Sequence, residues 1–156
     1  MPVGKFTDAE RLARASLRVA MHIRGLWEEK GSSDTCLLES FFLPDELTQV
    51  GVSRAFDGRG HREHVVPRLV IVTECHRMLE DDNATDEAIA NLIRENVKIV
   101  IISHEERDRL DRRDKLGLRQ KMPDGWKFGD DVFARLTAAE IEWEAMRAPA
   151  PTGPPA

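Results

Sequence analysis

A short segment near the middle of the chain holds four side chains that could act together on a phosphate ester. Asp57, His61, Glu63 and His64 lie within eight residues of one another. Because side chains alternate along a strand, His61 and Glu63 share one face there and His64 points to the other. A histidine takes up a proton near neutral pH, and a carboxylate can hold a divalent cation. Hydrolysis of a phosphodiester needs these two parts: a base that forms hydroxide and a metal that stabilises charge on the phosphate.

The run Glu63-His64-Val65-Val66-Pro67 resembles the Asp-His-Ile-Val-Pro signature of the HNH nucleases, which have a ββα-metal fold. The resemblance implies an endonuclease, a hydrolase of phosphodiester bonds, or a relative that keeps the fold and binds nucleic acid without cutting it. In that family the acid binds metal and the histidine activates water. By resemblance, Glu63 is the metal ligand and His64 the catalytic base.

Residues 97–102 and the helix expected after them extend this site. The run is β-branched and apolar, which is typical of a buried strand. By the resemblance, the helix supplies the remaining metal ligands, and His104 and Asp108 are the candidates because residues four apart share one helical face. The implied cofactor is a divalent metal, Mg²⁺ or Mn²⁺ rather than Zn²⁺.

Basic residues gather around the same segments. Although the net charge of the chain is −5, a local cluster of arginines and lysines can still contact phosphate. Arg107, Arg119 and Lys121 belong to the basic stretch that includes the helix from residue 104 and the loop after it. The expected nucleic-acid contacts are Arg59, Arg62, Arg109, Arg112, Arg113 and Lys115.

A zinc site is an alternative interpretation of the same region. His61, His64, Cys75 and His76 have the side-chain types that bind zinc. Adjacent residues such as Cys75 and His76 cannot easily face one ion from a helix, so this alternative is the weaker one.

A second alternative is a non-enzymatic regulator or inhibitor that binds another macromolecule, for which the acidic net charge would suit a protein partner. Geometry separates the hypotheses. Convergence of Glu63, His64 and an acid or histidine from residues 104–108 would favour the metal site. Burial of His64 against the core would favour the binding protein.

Helix signals surround the candidate site. A capping box at Thr7-Asp8-Ala9-Glu10, followed by apolar residues at spacings of three and four, predicts a long helix that ends near Gly31. Pro44 is placed to open a short helix, and Thr85 to cap another. Ser103-His104-Glu105-Glu106 predicts a second capping box, and Thr137-Ala138-Ala139-Glu140 a third.

The strand pattern completes the expected fold. Two short strands joined by the Asp57-Gly58 turn predict a β-hairpin, since glycine supplies a positive φ there. Residues 99–102 are expected to be mostly buried on both faces of their strand. The fold class predicted from these elements is α+β: a helix-rich single domain with a β-hairpin and a ββα-metal-like element.

Length and composition limit the remaining choices. With 156 residues the chain suits one domain, which we predict over residues 1–147; residues 148–156 hold four of its eight prolines and are expected to be a disordered tail. Two cysteines cannot build a disulfide scaffold. No signal peptide is evident, and no apolar run approaches the roughly 18 residues that span a bilayer. We therefore expect a cytoplasmic protein with no membrane partner.

Overall fold

The predicted long first helix is α1, Asp8–Lys30, in the computed structural model of the chain, which describes residues 4–146. Its capping box is complete, because Thr7 accepts from the backbone of Glu10 while the Glu10 side chain accepts from the backbone of Thr7. Gly31 ends the helix at φ 69°, a left-handed conformation that favours glycine. These features confirm the bounds predicted for this helix.

Within residues 4–146, five further α-helices and one short 3-10 helix follow α1. The 3-10 helix is Thr35–Leu38, and the others are α2 (Asp45–Thr48), α3 (Arg68–Asp81), α4 (Asp86–Asn96), α5 (His104–Asp111) and α6 (Ala134–Ala138). Thr85 caps α4, and the second predicted capping box starts α5 at Ser103. The third predicted box is wrong. Thr137 lies inside α6, and its hydroxyl donates to the carbonyl of Phe133 at 3.3 Å instead of capping a new helix.

The described part of the chain forms a sheet of four strands in the order β2-β3-β1-β4. Strand β1 is Gln49–Ser53, β2 is Gly60–His64, β3 is Ile99–Ser103 and β4 is Trp143–Ala145. Strand β3 pairs in parallel with β1 and antiparallel with β2. The predicted hairpin of β1 and β2 is therefore wrong, since β3 lies between these two strands.

Burial explains why β3 separates the two strands. Its residues are uncharged, and Ile99, Val100 and Ile102 are fully buried, so the centre of the sheet suits it. Strand β2, by contrast, has the sequence Gly-His-Arg-Glu-His, and charged side chains are typical of an edge strand. Residues 54–59 consequently carry the chain past β3 instead of forming a tight two-strand turn.

Strands β2 and β3 form a strand–strand–helix unit with α5. The two strands are antiparallel, and Ser103, the last residue of β3, is also the N-cap of α5. The Ser53 hydroxyl donates to Glu106 at 2.6 Å, which ties the end of β1 to the first turn of α5. Helices α3 and α4 lie between β2 and β3 in the chain, and α4 packs on α1.

The described part of the chain is a helix-rich α+β domain, as predicted. One core joins the buried faces of α1, α3 and α4 to the sheet. None of the helices in residues 4–146 combines the length and apolar character needed to cross a membrane. The tail predicted at residues 148–156 lies outside the described residues.

Strand β3 allows a first test of the fold. Ile102 is fully buried and Ile101 is partly buried, so the prediction that residues 99–102 are all mostly buried is confirmed. We expect Ile102→Val to lower the free energy of unfolding by about 1 kcal/mol, because it removes a methylene from a closed core. Ile101→Val, the matched control, should cost less than half as much. Urea denaturation measures both, and equal costs would contradict this account of β3.

Candidate functional site

A cleft of about 660 Å³ lies along β2, the edge strand of the sheet. We call it the β2 cleft. Side chains of β2, the first turn of α3, the end of α5 and the loop after α5 meet around it. Its walls are formed by Thr35, Glu39, Gly60, His61, Arg62, Glu63, His64, Pro67, Arg68, Leu69, Arg107, Asp111, Arg119 and Gln120.

His64, the predicted catalytic base, is the last residue of β2 and lines the cleft with a side chain that is only 12% exposed. Both ring nitrogens are buried, and neither has a hydrogen-bond partner among residues 4–146. Burial, together with the positive charge of Arg68, lowers the pKa of His64 to about 4. At neutral pH the ring is therefore uncharged and has an unused acceptor and an unused donor.

Glu39 faces His64 across the cleft and is held by two arginines. Its Oε1 lies 2.6 Å from Nη1 of Arg68 and 3.8 Å from Nε2 of His64, and its Oε2 lies 3.6 Å from Nη1 of Arg62. Burial alone would raise the pKa of Glu39, but the charges beside it, above all that of Arg68, hold the pKa below its usual value. Glu39 is thus an ionised carboxylate inside the cleft.

Glu63, the predicted metal ligand, is 6% exposed and is bound by other side chains. Arg135 donates to it at 2.8 Å, and Nε2 of His61 lies 3.2 Å from its other oxygen. Burial would raise the pKa of Glu63, but the hydrogen bond from His61 and the charge of Arg135 bring it below the usual value. The carboxylate is ionised and already neutralised by the protein.

Arg135 is fully buried and joins two walls of the cleft. Its Nη1 donates to Glu63 and to the carbonyl of His64, each at 2.8 Å. Its Nε and Nη2 donate to the carbonyl of Leu118 at 3.0 and 2.5 Å. One guanidinium therefore ties the end of β2 to the loop that presents Arg119 and Gln120.

The predicted metal ligands do not come together. Glu63 pairs with Val100 in the antiparallel register, whereas Ser103, just before His104, pairs with Gly60. About 10 Å of strand therefore separates the backbone of Glu63 from the start of α5. His104 and Asp108 are exposed, whereas Glu63 is buried.

The side chains of the cleft also do not fit a divalent cation. Glu39 is paired with Arg68, Glu63 with Arg135, and Asp111 lies 3.5 Å from Nε of Arg107. Within residues 4–146 no group of three or more His, Cys, Asp or Glu side chains could hold a metal ion. The described side chains of the cleft therefore offer no ligand set for Mg²⁺ or Mn²⁺.

The alternative zinc set is not assembled either. Cys75 is buried in the core, and burial raises the pKa of its thiol to about 12. His76 lies on α3 with Nε2 2.6 Å from the hydroxyl of Ser33, and its ring stacks on Trp27. These two side chains pack away from His61 and His64 in the described structure.

Of the six basic residues expected to contact nucleic acid, the structure places Arg62 in the cleft. Arg109 is half-buried, and Arg59, Arg113 and Lys115 are exposed outside the cleft. Arg112 is exposed and makes a two-bond pair with Asp114 at 2.9 and 2.7 Å. Arg107 and Arg119, from the same basic stretch, do line the cleft.

Sequence reasoning missed Arg68, Glu39, Asp111 and Arg135 as parts of the site. Arg68 had a usable signal, since it directly follows the Glu63-His64-Val65-Val66-Pro67 run and begins a helix. Asp111 also had one, since it lies in the helix predicted to extend the site. Glu39 and Arg135 had none, because tertiary packing alone brings them to β2; Arg135, for example, is 72 residues from Glu63.

Comparison of the chain with protein-family models, with curated proteins and with solved structures finds no match.

Proposed function

We propose that the chain binds nucleic acid by holding a backbone phosphate in the β2 cleft, without requiring a divalent metal. One observation carries the proposal: an uncharged His64 with two unused ring nitrogens stands in a cleft whose walls include four arginines, Arg62, Arg68, Arg107 and Arg119. Guanidinium groups match the geometry of phosphate oxygens, and a neutral imidazole can donate one further hydrogen bond.

The positions of the four arginines of the cleft support contact with a single phosphate. Arg62 comes from an edge strand, Arg68 from the first turn of α3, Arg107 from α5, and Arg119 from a loop that Arg135 fixes to β2. Because the whole chain carries a net charge of −5, phosphates away from the cleft are repelled. The proposed binding therefore uses few phosphates and depends weakly on salt.

Hydrolysis of the bound phosphodiester is a second candidate function, and His64 is the observation that favours it. A ring that is uncharged at neutral pH can accept a proton from water. Its pKa of about 4 makes it a weak base, but a bound phosphate anion would raise that pKa toward the working pH. The HNH resemblance implies a metal for this step, and the described side chains do not provide its ligands.

Arg68→Gln tests the binding proposal. We expect it to weaken the binding of a short single-stranded oligonucleotide about tenfold, because it removes a charge-assisted hydrogen bond to phosphate. Fluorescence anisotropy with labelled oligonucleotide, in low salt and with a chelator, measures the effect. Arg112→Gln is the matched control, since Arg112 is an exposed arginine already paired with Asp114 outside the cleft.

Equal affinities of wild type, Arg68→Gln and Arg112→Gln would overturn the proposed site. An absence of binding by wild type to single-stranded or duplex nucleic acid would overturn the proposed function and favour the alternative, a regulator that binds another macromolecule. Plasmid nicking by wild type that His64→Asn abolishes would support the second candidate, whether or not a chelator suppresses it.

A further inference from the structure

Glu39 places a negative charge inside the cleft that we propose for phosphate. Its carboxylate contacts Arg68 at 2.6 Å and lies 3.8 Å from His64. An anion that reached the same arginine and the same imidazole would lie beside this carboxylate. Nothing in the HNH resemblance assigns a role to Glu39, which lies 24 residues before Glu63.

The charges around the cleft leave a small positive excess. Its walls contain four arginines and three carboxylates, those of Glu39, Glu63 and Asp111, with His61 and His64 both counted as neutral. Two charged residues outside the walls also pair with wall residues: Arg135 with Glu63, and Asp45 with Arg62. One is positive and the other negative, so the net charge of the cleft does not change. One positive charge in excess balances one negative charge on a ligand.

We propose that Glu39 is a specificity-determining residue that restricts the cleft to singly charged phosphate esters. This inference rests on the proposed function. A phosphodiester carries one negative charge, whereas a terminal phosphate monoester carries about −1.5 to −2 at pH 7. The repulsion from Glu39 grows in proportion to the charge of the ligand, so it acts most strongly against the monoester.

An apolar side chain at the rim of the cleft favours binding of a phosphate ester over inorganic phosphate. Leu69, on its rim, is an exposed apolar side chain next to Arg68. It offers a surface to the sugar or base attached to a phosphate held by the arginines. The ligand class inferred from the charges is therefore an internal phosphate of a strand, with its ends excluded by Glu39.

The test uses two ligands that differ by one methyl group on the phosphate and therefore by about one negative charge: thymidine 5′-phosphate and its monomethyl ester. Titration followed by the NMR resonances of the His64 ring gives both affinities. Wild type should bind the methyl ester more tightly at pH 7. Glu39→Gln keeps the shape of the side chain and removes its charge, and we expect it to raise the affinity for the monoester about tenfold and for the methyl ester about threefold. The preference for the methyl ester should thus fall about threefold.

Two controls separate charge from shape. Glu46→Gln removes an exposed carboxylate that pairs with Arg11 away from the cleft, and should leave both affinities unchanged. At pH 5 the monoester has become singly charged, since its second pKa is about 6. Wild type should then bind the two ligands almost equally.

The outcomes distinguish this inference from the function on which it rests. Two results would show that Glu39 does not select ligands by charge. In the first, wild type binds the monoester as tightly as the methyl ester at pH 7. In the second, Glu39→Gln leaves the ratio of the two affinities unchanged; in both cases oligonucleotide binding through Arg68 could still hold. If neither ligand perturbs His64 and Arg68→Gln has no effect on oligonucleotide binding, the phosphate cleft itself is refuted.

Discussion

Arg135→Met is expected to lower the free energy of unfolding by about 3–5 kcal/mol, the cost typical of breaking a buried ion pair by removing one partner. Arg135 is fully buried, and methionine fills much of the same volume without its donors. The substitution leaves the Glu63 carboxylate without its main counter-charge. It also leaves the carbonyls of His64 and Leu118 without the hydrogen bonds that Arg135 donates.

Two further variants make this test specific, and urea denaturation compares all of them. Arg54→Met removes an arginine that is 62% exposed and paired with Glu142, so it should cost less than about 1 kcal/mol. Adding Glu63→Gln to Arg135→Met removes the unpaired buried charge and should recover part of the loss. A cost below about 1 kcal/mol for Arg135→Met would mean that β2 does not depend on this guanidinium.

Acidification from pH 7 to about pH 4.5 should cost the wild type about 2–3 kcal/mol of stability through His64 alone. The pKa of this ring is about 4 in the folded protein and 6.5 when it is unfolded. Between these values the unfolded chain binds more protons, so falling pH favours unfolding. The contribution is fully present above pH 6.5 and is lost progressively as the pH falls toward 4.

His64→Asn isolates this contribution from that of the carboxylates. Thermal or urea unfolding of wild type and His64→Asn is measured at several pH values from 7 to 4.5, and the stability of wild type relative to the variant should fall by about 2–3 kcal/mol over this range. His104→Asn, which changes an exposed histidine, should follow the wild type at every pH. Parallel curves for wild type and His64→Asn would show that the ring titrates normally in the folded state.

Local signals in the sequence predicted the helices better than the sheet. The capping box at Thr7 and the glycine at residue 31 define α1 because caps depend on residues a few positions away. Strand pairing depends on which segment is most apolar in the whole chain. The turn at Asp57-Gly58 therefore predicted a hairpin of β1 and β2. In the structure β3, which comes much later in the chain, lies between these two strands.

The sequence predicted the location of the candidate site but not the contacts within it. The motif indicated His64 and the segment around it, and Arg62 lies in that segment. The motif could not show that Glu63 would be neutralised by Arg135, because that contact depends on the packing of α6. The metal prediction for Glu63, His104 and Asp108 rested on the HNH resemblance and on the four-residue spacing within α5. Neither of these could show that β3 places the start of α5 opposite Gly60 and not opposite Glu63.

The contact between Arg135 and β2 has a consequence for the order in which the protein assembles. Ribosomes make the N-terminal part of a chain first, and Glu63 precedes Arg135 by 72 residues. Until that arginine has emerged, the carboxylate of β2 lacks its main counter-ion, and the segment carrying Leu118 and Arg119 lacks its side-chain hydrogen bonds to Arg135. The nascent chain can form α1 early, since its contacts are local, but the β2 cleft must be among the last parts to mature.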